Sequence, residues 1–259
     1  MLLAVDVGNT EIVLGVFEGE ELRHTWRLST RAEDTSDELT LLFSGLLEHR
    51  GLDLRRDVDG VVVASVVPDL TGALREMAEG IWDFPPVFVG PGTKTGVPIL
   101  TDNPREVGAD RVVNALAAHR RYGGAAIVVD FGTSTNFDVV SHDGAFVGGV
   151  IGPGIQVSAA SLVSRTARLP SVELVAPPSV IGTNTVACIQ SALIFGTADM
   201  VDGIVRRVRE EIGEATTVAT GGLAPVVIPH CTTIEHHEPW LTLEGLRLVH
   251  ERNQDPADA

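Results

Sequence analysis

The feature that most constrains this chain is a local device it uses twice. LLAVDVGNT, starting at residue 2, and AAIVVDFGTST, starting at residue 125, each run a hydrophobic strand into an aspartate, a glycine and a few small polar residues. A second apolar run follows each turn, EIVLGVF after the first and NFDVV after the second. Asp6 and Asp130 stand roughly half the chain apart, so the reading is a tandem of one structural unit.

The surrounding pattern agrees. Residues 2–5, 12–17 and 22–28 read as three short strands, and 35–50 as a helix with Leu39, Leu42, Phe43, Leu46 and Leu47 at helical spacing and Ser36 or Asp37 as N-cap. A strand over 60–68, a helix over 69–81 and a strand in PVFVG follow. After a helix at about 106–121 the order repeats, with strands in AAIVVDFG, FDVVS and AFVGGVIGPG and turns at Ser134 and HDG. Helices at about 155–165 and 184–211, a strand in TTVATGG and a helix over 241–251 close it. The expectation is an α/β protein of two βββαβαβ-like halves, residues 1–115 and 116–252, with a polar tail at 253–259 to which no function is assigned. No Ser/Gly linker marks the boundary near 105–125, so the halves are expected to share a central cleft that holds the chemistry.

In such a turn successive backbone amides point at one spot, glycine removes the Cβ that would hold a phosphate away, and hydroxyls add donors. The aspartate would repel phosphate without a cation between them. Each turn therefore reads as a phosphate site with a metal. One D-x-G alone is ordinary hairpin chemistry; two in equivalent places of two equivalent halves are not.

Composition narrows the chemistry. A formal charge of −16 disfavours nucleic acid and anionic membrane surfaces, because neutralising phosphates needs clustered Lys and Arg. Lys94 is the only lysine, and GPGTKTG lacks the GxxxxGK[ST] pattern, so phosphate binding must rest on backbone amides, arginine and cations. Two cysteines, Cys188 and Cys231, no signal-like leader and no stretch near the roughly 20 apolar residues of a membrane helix predict a soluble protein of a reducing cytoplasm. His236 and His237 lack a spacing partner for a metal and read as surface residues.

Three further strings carry polar chemistry. NPREVGADRVVNALAAH, residues 103–119, brings Gly108, Asp110 and Arg111 into a helix at the junction of the halves. There a carboxylate can deprotonate an alcohol while the guanidinium holds an anion, although a solvated neighbouring pair is the plainer alternative. VIGTNTVACIQ places Asn184 and Thr185 at a helix N-terminus, which suits either an anion or simple capping. ATGGLAP offers two glycines where a base or ribose could lie, or a plain turn.

Together DVGNT (6–10), NPREVGADR (103–111), DFGTSTNFD (130–138), GPG (152–154), IGTNT (181–185) and GG (221–222) resemble, in order and over nearly the whole length, the type III pantothenate kinases of the acetate and sugar kinase, heat-shock chaperone and actin superfamily. The resemblance implies two ribonuclease H-like (actin-like ATPase) halves around a central cleft, and ATP-dependent phosphorylation of pantothenate at its primary hydroxyl, the first step of coenzyme A synthesis. It implies a phosphate loop of Asp6, Val7, Gly8, Asn9, Thr10, Glu11, Ile12 and Val13, with Asp6 helping to place Mg2+. Asp110 is then the proton acceptor, Gly108, Ala109 and Arg111 line the pantothenate site, Asp130 holds a monovalent cation (K+ or NH4+), Thr133 touches ATP and Thr185 pantothenate. A homodimer is also implied. Three positions depart from the family: Thr101 replaces a usual tyrosine of the pantothenate pocket, Asn136 a threonine and Ala192 a glycine. A Bvg-accessory-type regulator, or a kinase for a sugar or acetate, are the competing readings on the same fold.

Overall fold

A computed structural model of the chain describes residues 1–166 and 169–254. β1 (Leu2–Val7), β2 (Glu11–Glu18) and β3 (Glu21–Ser29) form an antiparallel meander, followed by α1 (Ser36–Glu48), β4 (Gly60–Ser65), α2 (Pro68–Ile81) and β5 (Val87–Phe88). A 3-10 turn at Pro104–Glu106 leads into α3 (Ala109–Tyr122). The meander then recurs as β6 (Ala126–Phe131), β7 (Ser134–Val140) and β8 (Phe146–Pro153), followed by α4 (Ile155–Arg165), α5 (Thr185–Ile212), β9 (Thr216–Thr220), α6 (Ala224–Val227), β10 (His236–His237) and α7 (Leu241–Gln254).

The duplication holds strand by strand. One sheet has the order β3-β2-β1-β4-β5 and the other β8-β7-β6-β9-β10, with β1 and β6 in the same central place. Each central strand is antiparallel to the next strand of its meander and parallel to the strand after the first helices, β4 or β9. Asp6 is registered with Val13 and Ala64, and Asp130 with Asn136 and Thr220. Both aspartates therefore emerge at the same end of the same strand of their sheets.

Alternation along the strands decides which faces are covered. In the first sheet Leu3, Val5 and Val7 of β1 point with Leu14 and Val63 onto Leu39, Phe43 and Leu47 of α1 and Leu70 and Leu74 of α2, all buried. Each such side chain removed from water contributes about 1.5–3 kcal/mol, which is why these positions tolerate little change. In the second sheet Ile127, Val129 and Phe131 meet Ile194, Ala198, Val201 and Val205 of α5.

Several local readings change. The N-cap of α1 is Thr35, not Ser36 or Asp37: Glu38 N–H donates to Thr35 Oγ1 at 3.3 Å and Thr35 N–H to the Glu38 carboxylate at 2.9 Å. This reciprocal capping box satisfies two otherwise orphaned amides. Ser134 opens β7, so the turn before it is Gly132–Thr133. By length and composition α5 is apolar enough to cross a membrane, contrary to expectation, but half of its apolar window is buried in the fold. It also carries Asp202, which accepts hydrogen bonds from the amides and hydroxyls of Thr232 and Thr233. Packing on a sheet supplies its apolar face with a partner.

The chain divides into two compact units, and the division is not contiguous. The first comprises Met1–Val97, Asp102–Ala117 and the chain from Thr242, the second Pro98–Thr101 and Ala118–Leu241. Thus α7, which the sequence reading assigns to the second half, belongs with the first sheet. There it crosses α3 so closely that a Cβ on Gly245 would lie 2.1 Å from the Val113 carbonyl oxygen. Asn253 and Gln254, expected in the polar tail, belong to the last turn of α7, and Asn253 exchanges hydrogen bonds with the Lys94 backbone at 3.1 and 3.3 Å. The rest of that tail, 255–259, lies outside the described residues.

Candidate active site

In the first unit the turn Gly8–Thr10 closes on a 2.9 Å hydrogen bond from Gly8 N–H to Glu11 O. It is braced from the end of β3, where Thr30 Oγ1 donates to Gly8 O at 2.7 Å and Thr30 N–H to Thr10 O at 2.9 Å. Asn9, Thr10 and Glu11 form the exposed tip, whereas the Val7 and Ile12 side chains are core residues. Of the expected phosphate loop, Val7 and Ile12 can therefore offer a ligand only their backbone. Glu11 is already paired with Arg27 at 3.1 Å.

The GADR segment comes to this same strand end. Val66, just past β4, donates its N–H to Val7 O at 3.0 Å, and its Cγ1 would stand 3.7 Å from a Cβ on Gly108. A Cβ on Gly108 would fall 2.5 Å from Asp110 Oδ1, so any side chain there would push the Asp110 carboxylate out of its present position. Asp110 and Arg111 occupy the first turn of α3 next to Ala109, and Asp110 Oδ1 accepts the Arg111 N–H at 2.9 Å. Burial pushes the Asp110 carboxyl above the usual carboxylate range, while the Arg111 amide and guanidinium pull it back. A carboxyl raised in this way on the first turn of a helix suits a proton acceptor.

In the second unit the corresponding turn is a residue shorter, with Gly132 N–H bonded to Ser134 O at 3.0 Å. Two distant glycines press on it. A Cβ on Gly154 would lie 2.3 Å from Thr133 O, and one on Gly221, whose φ is +92°, 2.4 Å from Asp130 Oδ1 and 2.6 Å from Phe131 O. The Gly-Gly string left undecided in the sequence is thus a place where only glycine lets β9 end against Asp130. Carboxylate and carbonyl oxygens converge there beside an exposed Thr133. Neither the Gly154 contact nor the bracing role of Thr30 has a local sequence signal, since both depend on what lies across the fold.

Thr185 stands on the exposed first turn of α5, capped by Asn184, whose Oδ1 accepts the Ala187 N–H at 2.9 Å. No hydrogen bond among the described residues joins it to the Asp130 turn. The Oγ1 of Thr101 and the Oδ1 of Asn136, two of the departing positions, are buried without a hydrogen-bond partner among the described residues, and Ala192 is on an exposed face of α5.

Among the described residues no three His, Cys, Asp or Glu side chains gather as a metal site. One carboxylate per turn is nevertheless the donor set for Mg2+ carried with nucleotide phosphates, which supply most of its oxygens. The Asp130 and Phe131 oxygens suit a cation that asks for little charge.

Paired sheets of this order define an actin-like ATPase and sugar-kinase fold. Solved structures that share it include one described as a Baf family transcriptional activator from Campylobacter jejuni, with 17% identity, TM-score 0.58 and coverage of 97% of this chain and 98% of that one. Another is component A of (R)-2-hydroxyglutaryl-CoA dehydratase from Acidaminococcus fermentans, with 17% identity, TM-score 0.55 and coverage of 96% and 95%. At such identities they speak for the fold alone. The particular family follows from sequence: residues 2–207 match the type III pantothenate kinase family, and the chain belongs to it. Relatives named type III pantothenate kinase include those of Frankia casuarinae, 56% identical over 98% of this chain and 100% of that protein, and Moorella thermoacetica, 52% identical with the same coverage.

Proposed function

We infer that the chain phosphorylates pantothenate with ATP and Mg2+, the first step of coenzyme A biosynthesis. One observation supports the assignment of roles: Gly108 of the GADR segment lies between the Asp110 carboxylate and Val66, which is hydrogen-bonded to the strand that ends in the Asp6 turn. The residues Asp6 to Val13 cradle ATP phosphates through backbone and tip groups, with Asp6 placing Mg2+. Bound Mg2+ neutralises phosphate charge. Asp110 takes the proton of the pantothenate hydroxyl, Arg111 holds the pantothenate carboxylate, and Gly108 and Ala109 leave room for the substrate. Phosphoryl transfer to an alcohol asks mainly for positioning, charge neutralisation and a base, and these residues supply all three. Thr133 contacts ATP, Thr185 contacts pantothenate, and Asp130 holds a monovalent cation.

A homodimer belongs to this reading. Ile151 on β8, Val157 and Leu162 on α4, Val180 and Ile181 before α5, and Val186 on its first turn are all exposed, with Ile181 at 80%. So much exposed apolar surface in one unit asks for a partner, and a second copy supplies it. The charge of −16 speaks against nucleic-acid and membrane partners, and two free cysteines fit the cytoplasm.

The test is ADP release with pantothenate, glucose or acetate as acceptor, with and without K+ or NH4+. Turnover with pantothenate and not with the others is expected. Turnover with glucose instead would make the chain a sugar kinase, and no turnover with any acceptor would move it to the regulator class. Asp110→Asn should keep the fold and ATP binding while losing at least about 100-fold in kcat.

A further inference from the structure

Arg27 on β3 holds a guanidinium against the Asp6 turn. Its Nη1 donates to Glu11 Oε2 at 3.1 Å, and Glu11 closes that turn by accepting the Gly8 N–H at 2.9 Å. The strand pattern sets which way Arg27 faces. Trp26 and Leu28 on either side of it pack on the first core, as do Ile12 and Leu14 beside Val13, and Val5 and Val7 beside Asp6. Arg27, Val13 and Asp6 therefore point to the other face of the sheet. They stand in one row across it, Arg27 registered with Val13 and Val13 with Asp6. Two strand spacings, about 10 Å between backbones, separate the Asp6 and Arg27 positions. The pair is open to solvent, with side-chain exposures of 39% for Arg27 and 51% for Glu11, so an anion can reach the guanidinium. The other arginine of β3, Arg23, is at the far end of the strand with Glu18 and Glu21, and the only lysine, Lys94, follows β5 at the opposite edge of the sheet.

We propose that Arg27 is a phosphate-binding residue of the first turn: Glu11 holds its guanidinium at the mouth of the turn in the free protein, and the guanidinium moves to the phosphates of ATP when the nucleotide binds. The inference rests on the Asp6 turn being the phosphate loop. An exposed ion pair is weak, because water screens it and two long side chains lose freedom in making it. A guanidinium can bond two oxygens of a phosphate at once, and a polyphosphate carries more charge than one carboxylate. The exchange therefore favours the nucleotide. It also answers the charge problem of the loop, in which Asp6 and Glu11 alone would repel ATP. Were Arg27 only a brace for the sheet edge, removing either member of the pair would have the same effect.

The experiment measures MgATP binding to the full chain by calorimetry, alongside KM for ATP and for pantothenate. Arg27→Gln should weaken MgATP about tenfold or more and leave KM for pantothenate within about twofold. Arg27→Lys, which keeps the charge and loses the fork, should recover part of that loss. Glu11→Gln should do the opposite and tighten MgATP about threefold, because it releases the guanidinium and removes a like charge. Equal weakening in Arg27→Gln and Glu11→Gln overturns the proposal and leaves the pair a brace. Unchanged binding in Arg27→Gln overturns it too, and if Asp6→Asn still weakens MgATP the phosphate loop stands without the arginine. If Arg27→Gln weakens MgATP while Asp6→Asn does not, the arginine stands and it is the Mg2+ role of Asp6 that fails. Should Arg27→Gln not fold, the sign of the Glu11→Gln change decides, and weaker binding there overturns the proposal. A wild-type chain that binds no MgATP fails the reading on which the proposal rests, and the proposal with it.

Discussion

The Asp6 turn and the Asp130 turn begin from the same strand position and end as different objects. The first has a longer exposed tip, Asn9 to Glu11, and is steadied by hydrogen bonds from Thr30. The second is shorter and is gripped by Gly154 and Gly221, which approach so closely that neither could bear a Cβ. Hydrogen bonds leave a loop free to settle around a ligand, whereas backbone packed on backbone fixes oxygen atoms in place. The contrast is compatible with the division that the family resemblance implies and that we propose, a phosphate loop at the open turn and a monovalent cation at the rigid one.

The largest expected effect is at Gly221. Gly221→Ala needs a side chain at positive φ and at 2.4 Å from Asp130 Oδ1, so a loss of about 3 kcal/mol in chemical denaturation and of at least about 100-fold in kcat is expected. Gly132→Ala, whose Cβ would meet Asp130 Oδ1 at an ordinary 3.7 Å, should stay within about 1 kcal/mol. Equal stability of the two variants would break the picture of a rigid second turn.

Next come the carboxylates. Asp130→Asn should abolish stimulation by K+ or NH4+, and Asp6→Asn should keep that stimulation while weakening Mg-ATP at least about tenfold. Titrating each variant with KCl at fixed Mg-ATP decides it, and a K+ response lost from Asp6→Asn would reverse the assignment of the two turns.

A subtler difference separates the sheets beneath the turns. His250 of α7 lies against Gly60 of the first sheet, 2.6 Å from where a Cβ would be, and burial holds its pKa below the ordinary histidine value. It is thus preferentially neutral in the folded protein. The stability this gives is present above the unfolded pKa of about 6.5 and is lost as pH falls through that value toward the folded one. Urea midpoints measured across this range should fall in the wild type and fall less in His250→Leu. Identical slopes would remove His250 as the acid-sensitive point of the first unit.

The smallest effect is expected at Thr30. Thr30→Val deletes one brace on the open turn and should cost about 1 kcal/mol, with a few-fold rise in KM for ATP. A larger loss than that of Gly221→Ala would mean that the first turn is the rigid one.

Much of this was legible without coordinates, and the parts that were share a cause. Alternating apolar residues, the glycine turns and the helical spacing of Leu39, Phe43 and Leu47 depend on near neighbours in the chain, so the two meanders, their aspartates and the GADR helix could be read directly. The cap of α1 was missed by one residue because Thr35, Ser36 and Asp37 are all good caps and only the Glu38 contact separates them. The sequence by itself determined a duplicated α/β chain with two glycine turns and a helix that opens on the GADR string. Tertiary structure alone decided that α7 returns to the first sheet, that Gly154 and Gly221 must be glycine, and that the Asn114 amide is buried beside Thr242. Each of those depends on atoms far apart in the chain meeting at contact distance. No local pattern records such meetings.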